Sequence, residues 1–560
     1  MKDYILKDKK LLILISIFTI LVSVITVIAP IYVGKIIDKF VELSYKEFIT
    51  NLIILITLYV TIYIFSILQV KFLSKMIAKI QKDIRENLFN KINNIKIKEL
   101  DKIEYGNVLN QFSIDLENIS NGIIQGLPKI ISGIVVVIFS IIVMLKINIK
   151  MCIILIIVAP VMYFISKWVT KNTNVFFKDR ANIVAKLNNN AEEFITYQNT
   201  VRDFNYEEVA EKKFENLNTE LYKTGVKAQF YSALTNPTTR LISNIGYVVT
   251  GIVGVILMSN GEITIGDITT FLMYTSIFTR PFNEITAILS ELQTAFASSK
   301  RIDEFLNSEN EIFEITSKDI IKIRGNIEFK NVEFSYTKEP FIKKFNLKVE
   351  TGEKIAIVGK TGAGKTTIVN LLMRFYEIDK GNIYIDGIDI KDIPIEELRE
   401  NIGIVLQDTK IFTETVKENI AYGLENISED EIKRVSKLAK VDTFIEKLPQ
   451  KYNTIINNEM LSEGEIQLIT IARVMLRNPS ILILDEATSN IDLITENKIQ
   501  QSMLELMKGK TTFIIAHRLS TIQNADKILY LENGNIVEQG THEELLLKKG
   551  KYFDLYTNNI

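Results

Sequence analysis

The chain has 560 residues, and its 66 basic and 67 acidic side chains give a formal net charge of −1. This length exceeds that of a single compact domain and predicts at least two folding units, each with its own core. Lysines concentrate beside apolar runs without a base-stacking aromatic pattern, which excludes nucleic-acid binding. The single cysteine, Cys152, lies in an apolar run. It excludes a disulfide within one chain and is predicted to be a small buried side chain.

Composition divides the chain into two parts. Up to about residue 300, isoleucine, leucine, valine and phenylalanine dominate in long uncharged runs, whereas the remainder has the mixed composition of a globular domain. We therefore predict a transmembrane domain over 1–300, a linker over 301–321 and a second domain over 322–560.

The first part contains apolar segments long enough to cross a bilayer, which takes roughly 20 helical residues. We predict six spans, over 11–34, 51–70, 125–146, 150–168, 241–261 and 266–290. An even number of spans returns the chain to its starting side, and lysines and arginines flank the span ends on that side. The positive-inside rule then predicts a multi-pass protein of the cell (plasma or inner) membrane, with both termini and the second domain in the cytoplasm.

Two long connections, over 71–118 and 168–240, have apolar residues at three- and four-residue spacing and little proline or glycine. This pattern predicts helices that extend well beyond the membrane. Such helices suit a protein that transmits movement between its two parts.

Two charged residues, Arg280 and Glu284, lie in or near the sixth span. Their four-residue spacing places them on one helix face, where they can pair. Two interpretations stay open. Either the residues line a substrate path, because intramembrane charges usually face a cavity, or they form a structural pair near the membrane boundary.

A glycine-rich loop in the second domain lies between an apolar strand and a helix. Backbone N–H groups of such a loop surround phosphate oxygens, Lys365 reaches the β- and γ-phosphates, and the Thr366 hydroxyl binds Mg²⁺. The predicted ATP-binding residues of the loop are Gly359, Lys360, Thr361, Gly362, Ala363, Gly364, Lys365, Thr366 and Thr367.

A second apolar strand ends in Asp485 and Glu486, about 120 residues after the loop. P-loop enzymes use such a pair to hold Mg²⁺, here through Asp485, and to orient the attacking water, here through Glu486. His517 follows another apolar strand, where a neutral imidazole can donate to a γ-phosphate. Lys365, Glu486 and His517 are the predicted catalytic residues, and ATP and Mg²⁺ are the predicted bound groups.

With its six spans and these motifs, the whole chain resembles an ABC exporter half-transporter. The resemblance implies a membrane all-α six-helix exporter domain with long cytoplasmic helical extensions, followed by an α/β P-loop NTPase domain of the ABC type. It also implies that Tyr336 stacks on adenine, that Gln407 contacts Mg²⁺ and that His517 senses the γ-phosphate. Coupling helices near 104–115 and 204–214 would press on the ATPase domains.

In such exporters two chains pair, and each ATP lies between the P-loop of one chain and a Leu-Ser-Gly-Gly-Gln signature of the other. The residues facing the partner's ATP would here be Ser462, Glu463 and Gly464, within a sequence that ends in Glu465. A carboxylate about 5 Å from a phosphate charge is repelled by roughly 3 kcal/mol at an effective dielectric constant of about 20. Intact catalytic residues with a poor signature resemble the consensus-Walker member of a heterodimeric exporter. A partner chain with an intact signature and a degenerate catalytic glutamate is therefore favoured over a homodimer that tolerates Glu463.

The predicted function is ATP-driven export of a hydrophobic or amphipathic substrate (a drug, lipid or peptide) by alternating access within membrane lipid. An importer with the exporter fold is one alternative. A non-transporting ATP-binding sensor or regulatory subunit is another, although the presence of Glu486 and His517 argues against it.

Overall fold

The computed structural model describes residues 4, 7–103, 105–311, 323–337, 339–407, 409–485, 492–515 and 522–558. Internal contacts divide the chain into two compact units. We call the first, Met1–Asn94 with Ile103–Ser308, the helical unit, and the second, Ile95–Lys102 with Glu309–Ile560, the sheet unit. This confirms the predicted fold class, a helical N-terminal domain followed by an α/β domain.

The helical unit is built mainly from long helices. Among the described residues, the first nine helices of the chain all belong to it except α3. They are α1 (Lys9–Val41), α2 (Tyr45–Asn94), α3 (Ile97–Leu100), α4 (Tyr105–Asn110), α5 (Leu116–Ile147), α6 (Ile149–Thr196), α7 (Gln198–Asp203), α8 (Glu207–Ser259) and α9 (Ile265–Leu306), with a π-helical turn at Gln111–Asp115 before α5. At 50 and 53 residues, α2 and α8 are each about 75–80 Å long, more than twice the hydrocarbon thickness of a bilayer. Both helices therefore continue beyond the membrane.

Among the described residues, four helical stretches are long and apolar enough to cross a membrane: Lys9–Val41, Tyr45–Asn94, Tyr105–Ile147 and Arg240–Ser259. They contain the predicted spans over 11–34, 51–70 and 125–146 and most of the one over 241–261. The predicted spans over 150–168 and 266–290 lie within α6 and α9 and stay predictions. Helix α9 extends into the predicted linker, whose remainder from residue 312 lies outside the described residues.

Helices α1, α2, α5 and α9 pack together, and α6 packs mainly on α8. One buried cluster of the helical unit includes Met144, Met151, Cys152 and Phe271. The buried position predicted for Cys152 is therefore confirmed.

Helices α1 and α9 approach closely where two glycines face each other. A Cβ atom added to Gly266 would lie 2.2 Å from the Gly34 carbonyl oxygen. The Asp38 carboxylate accepts hydrogen bonds from the Gly266 N–H at 2.7 Å and the Thr264 hydroxyl at 2.8 Å. Because α9 begins here, the contact holds its first turn against α1.

The sheet unit contains twelve strands and nine helices in addition to α3 among the described residues, with a short 3₁₀ turn at Lys451–Asn453. The strands are β1 (Ile327–Phe334), β2 (Ile342–Val349), β3 (Lys354–Val358), β4 (Lys380–Ile385), β5 (Ile388–Asp389), β6 (Ile402–Val405), β7 (Glu414–Thr415), β8 (Ile455–Ile456), β9 (Ile481–Asp485), β10 (Thr511–Ile515), β11 (Lys527–Glu532) and β12 (Asn535–Gly540). The helices are α10 (Lys365–Leu372), α11 (Ile395–Glu400), α12 (Val416–Ile420), α13 (Glu429–Leu438), α14 (Asp442–Ile445), α15 (Glu463–Arg477), α16 (Leu493–Leu506), α17 (His542–Lys548) and α18 (Lys551–Asn558).

A six-stranded sheet of order β12-β11-β3-β10-β9-β6 forms the centre of the sheet unit, and only β12 runs antiparallel to its neighbour. Successive residues of β3 alternate between two apolar clusters, as Ala356 belongs to one and Ile357 to the other. Burial on both faces explains why the parallel strands of the six-stranded sheet have nearly continuous apolar sequences. A second sheet of order β2-β1-β4-β5 is antiparallel.

The first coupling helix, near 104–115, stays a prediction. The described residues of 104–115 belong to the helical unit, whereas α3 belongs to the sheet unit with the rest of Ile95–Lys102. Within the sheet unit, Lys96 pairs with Glu309, with 2.9 Å between Nζ and Oε2. A helix of four residues is too short for apolar periodicity to reveal it. The second coupling helix, near 204–214, stays a prediction.

Replacing Gly266 with alanine should destabilise the helical unit, because the new methyl group would overlap the α1 backbone. Overpacking of this kind costs about 1–3 kcal/mol. Thermal unfolding of the purified full-length chain in detergent measures the effect. Gly251→Ala is the matched control, because a Cβ atom there meets nothing within 4 Å. Equal unfolding midpoints for the two variants would contradict the close helix contact.

Candidate ATP-binding site

The glycine-rich loop follows β3 and ends where α10 begins at Lys365. The residue before α10, Gly364, has a φ of +106°, in the left-handed region, and no side chain caps the helix. The first N–H groups of a helix have no intrahelical acceptor. Together with the helix dipole, they form a ready site for an anion.

Lys365 is 9% exposed, and its side chain lies within the loop. Its Nζ donates to the Gly359 carbonyl at 2.7 Å. Burial lowers the pKa of Lys365, and the nearby Asp485 carboxylate partly opposes this effect. A phosphate anion would favour the charged ammonium in the same way, so the loop suits this ligand.

Two threonines at the start of α10 differ in exposure. Thr366 is exposed, whereas Thr367 is buried and accepts a hydrogen bond from the Tyr336 hydroxyl at 3.0 Å. Tyr336 is 45% exposed. It lies edge-on to Tyr376, with 5.3 Å between ring centroids. An aromatic ring able to stack on a base therefore lies beside the loop.

The remaining predicted residues lie at the carboxyl ends of parallel strands. Asp485 is the last residue of β9, which is separated from β3 only by β10, and the exposed Gln407 closely follows β6. Carboxyl ends of parallel strands meet at one edge of a sheet, the usual ligand position in α/β proteins. Glu486 and His517 lie outside the described residues.

No group of three or more histidine, cysteine or acidic side chains suited to a metal ion occurs among the described residues. The Thr366 hydroxyl and the Asp485 carboxylate are hard oxygen donors. Mg²⁺ is typically held by one or two carboxylates, water and substrate phosphates. The donor set near the loop therefore fits Mg²⁺ bound together with a nucleotide.

The signature-like sequence forms the start of α15, where Ser462 is the N-cap. The Glu465 carboxylate accepts hydrogen bonds from the backbone N–H and the hydroxyl of Ser462, both at 2.9 Å. Sequence analysis noted both glutamates but missed this capping box, although a serine followed three residues later by glutamate is its known pattern.

Sequence analysis also missed Tyr376. Its hydroxyl donates to an Asp101 carboxylate oxygen at 2.5 Å, and its ring contacts Tyr336. Burial raises the pKa of Tyr376, and the bond to Asp101 adds to the effect. The two partners are 275 residues apart, so no local pattern could reveal the contact. Tyr376 thereby joins the aromatic ring beside the loop to the segment that contains α3.

Family models match both parts of the chain. A model of the ABC transporter transmembrane region matches residues 12–282, and an ABC transporter model matches residues 342–489. An uncharacterized ABC transporter ATP-binding protein of Bacillus subtilis, YfiC, is 36% identical over 100% of this chain and 93% of its own length. The chain belongs to the ABC transporter family.

Two further proteins are similar to this ABC transporter. A fatty acid ABC transporter ATP-binding/permease protein of Mycobacterium bovis is 36% identical over 87% of this chain and 78% of its own length. The structure of a bacterial Atm1-family ABC exporter with ATP bound is 26% identical, has a TM-score of 0.80 and matches 97% of each chain.

These findings confirm the resemblance to ABC exporter half-transporters. The protein is a multi-pass membrane protein that couples ATP hydrolysis to export, and its sheet unit contains the ABC nucleotide-binding domain. Dimerisation is general among such half-transporters.

Replacing Tyr376 with phenylalanine removes the hydrogen bond to Asp101 but keeps the ring beside Tyr336. A hydrogen bond of about 0.5–1.5 kcal/mol corresponds to a change of about two- to tenfold. We expect ATP binding to stay unchanged and substrate stimulation of hydrolysis to fall by this factor. Nucleotide binding and ATPase assays on the reconstituted transporter measure the two quantities.

Tyr384→Phe, in strand β4 of the same unit, is the control for loss of a tyrosine hydroxyl. If Tyr376→Phe weakened ATP binding and left stimulation intact, the link from Tyr376 to Asp101 would have no part in coupling.

Proposed function

We propose that this chain is one member of a heterodimeric exporter. It supplies the P-loop and the catalytic carboxylate of one working ATP site, and a weakened signature to the other. The observation that carries the proposal is the pairing of the Ser462 hydroxyl with the Glu465 carboxylate at the start of α15.

In the family arrangement, the signature serine and the N-terminus of its helix face the γ-phosphate bound by the partner. Here the Glu465 carboxylate already accepts from Ser462, and Glu463 adds a second negative charge in the first helical turn. Negative side chains in this turn complement the helix dipole. The Glu463 and Glu465 carboxylates thus neutralise the positive end of the α15 helix dipole. This reduces the attraction of the α15 N-terminus for a phosphate.

The energetic cost of the exposed Glu463 supports the same conclusion. At a separation of about 5 Å and an effective dielectric constant of about 20, each unit of phosphate charge would repel it by roughly 3 kcal/mol. Magnesium reduces this repulsion, and the side chain can turn away. The remaining cost favours a partner whose own catalytic glutamate is degenerate, so that this chain's signature serves only a site that holds nucleotide.

This chain's own P-loop has the groups that a working site needs. We assign the phosphates to the loop over 359–367, including Lys365, and the adenine ring to Tyr336. Thr366, Gln407 and Asp485 would hold Mg²⁺, which when bound neutralises developing phosphate charge. Glu486 would orient the attacking water, and His517 would donate to the γ-phosphate. By the positive-inside rule, we place this domain and both termini in the cytoplasm.

We propose that the substrate is a hydrophobic or amphipathic compound. The fatty acid transporter among the similar proteins supports this class.

Two substitutions test the signature directly. Glu463→Gly together with Glu465→Gln restores the family sequence, and glutamine at the second position keeps a capping-box side chain. We expect the purified wild-type chain, without a partner, to hydrolyse ATP slowly, and the double variant to be at least about tenfold faster, because roughly 1.4 kcal/mol of the repulsion is removed. Steady-state ATPase assays on the reconstituted chain measure this.

Glu459→Gln is the control, because it removes an exposed carboxylate just outside the signature. A wild-type chain that alone forms a dimer with rapid, substrate-stimulated hydrolysis would overturn the heterodimer.

Replacing Glu486 with glutamine should abolish transport while ATP binding persists. The amide keeps the shape of the side chain but cannot act as a base. Transport into vesicles and binding of labelled ATP measure the two effects, and Lys365→Ala should lose both. Unchanged physiological output in the Glu486→Gln variant would favour a sensor that does not transport.

A further inference from the structure

A cavity of about 830 Å³ lies in the helical unit between α1, α2, α5 and α9. This volume is within the range of about 300–1,000 Å³ that is typical of small-molecule sites. Apolar side chains form most of its wall, among them Val22, Val136, Ile277, Phe282 and Ile288. The wall therefore suits a hydrocarbon portion of a ligand.

Two pairs of neutral polar side chains in the wall are hydrogen-bonded. Gln69 Nε2 donates to the Thr19 hydroxyl at 2.9 Å, and the Ser23 hydroxyl donates to that of Ser132 at 2.9 Å. These pairs can accommodate a polar ligand group, but they carry no charge and cannot select its sign.

Among the residues that the structure describes, three charged side chains line the cavity: Lys129, Arg280 and Glu284. Arg280 Nε lies 3.0 Å from one Glu284 carboxylate oxygen, and Lys129 Nζ lies 4.0 Å from the other. One carboxylate thus lies between two cations, which leaves one net positive charge. The Arg280 side chain is 79% exposed, so its guanidinium remains accessible.

The charges lie toward one end of the membrane-spanning part. Arg280 is about 15 residues into α9, or about 22 Å along it, and Lys129 is about 27 Å from the end of α5. The start of α6, just after α5, and the connection before α9 are joined by an ion pair of Lys150 and Glu262 at 2.8 Å. Both cations therefore lie far from that end, near the opposite boundary of a bilayer core about 30 Å thick.

We infer that this cavity binds an anionic amphiphile, with its headgroup beside Lys129 and Arg280 and its hydrocarbon chain along the apolar wall. An uncompensated positive charge beside low-dielectric surroundings is costly, and a bound anion removes this cost. Carboxylate, sulfonate and phosphate headgroups share the required chemistry, and Arg280 can donate to any of them. Glu284 repels the anion and limits the affinity. The inference rests on the proposed function, whose substrate class it narrows.

Binding measurements on the assembled transporter in phosphatidylcholine nanodiscs test this site without ATP. The probe is labelled hexadecanesulfonate, which stays anionic at every working pH, and the competitors are hexadecanol, hexadecyltrimethylammonium and ethanesulfonate. We expect hexadecanesulfonate to bind at least tenfold more tightly than either long-chain competitor. Ethanesulfonate should compete at least a hundredfold less well, because it lacks the hydrocarbon chain.

Substitutions of the three charged residues test whether they determine hexadecanesulfonate binding. Lys129→Gln and Arg280→Gln should each weaken hexadecanesulfonate binding about tenfold, and Glu284→Gln should strengthen it. Arg280→Lys, which keeps the charge, should retain binding within about threefold. Lys150→Gln, which breaks an ion pair outside the cavity, is the matched control and should have no effect. Size-exclusion chromatography of each variant verifies assembly.

Tighter binding of the cationic or the neutral chain, equal competition by ethanesulfonate, or no effect of Arg280→Gln in an assembled transporter would each overturn the inference. These outcomes are independent of ATP hydrolysis. The heterodimer and the catalytic role of Glu486 would stand if the anion preference failed, and the anion preference would stand if they failed.

Discussion

Parallel strands that end at a common edge are the constraint on which the nucleotide site depends. The P-loop after β3, Asp485 at the end of β9 and Gln407 after β6 come from distant parts of the sequence. Each strand is fixed by its neighbours and by an apolar cluster on both faces of the sheet. The polar residues therefore lie where the strands stop, and the backbone of the loop adopts a left-handed conformation at Gly364.

The N-termini of α10 and α15, both in the sheet unit, have opposite electrostatic environments. The start of α10 has no side-chain cap and has a lysine beside it, so it is open to an anion. The start of α15 is capped by Ser462 and carries two glutamates. In the proposed heterodimer, the working ATP site takes its second helix end from a partner chain in which that end is not neutralised.

Sequence reasoning succeeded where the signal was local. The P-loop and the four apolar stretches have patterns that lie within a few turns of chain, and the structure forms the corresponding elements. It failed for α3, which has only four residues, and for the contact of Tyr376 with Asp101, which joins residues far apart in sequence. Arg280 and Glu284 could be paired from their spacing. Only the packing of four helices shows that Lys129 joins them and that a cavity lies beside them.

Because Ile95–Lys102 belongs to the sheet unit, the chain passes between the two units three times. The ribosome completes this segment more than 200 residues before it reaches β1. The segment and its surroundings in the sheet unit therefore assemble late, after most of the helical unit has been synthesised. A C-terminal fragment that begins after the helical unit would lack Asp101, the hydrogen-bond partner of Tyr376. Because part of the sheet unit is encoded within the sequence of the helical unit, complete assembly of the ATPase domain requires that the membrane helices be synthesised in the same chain.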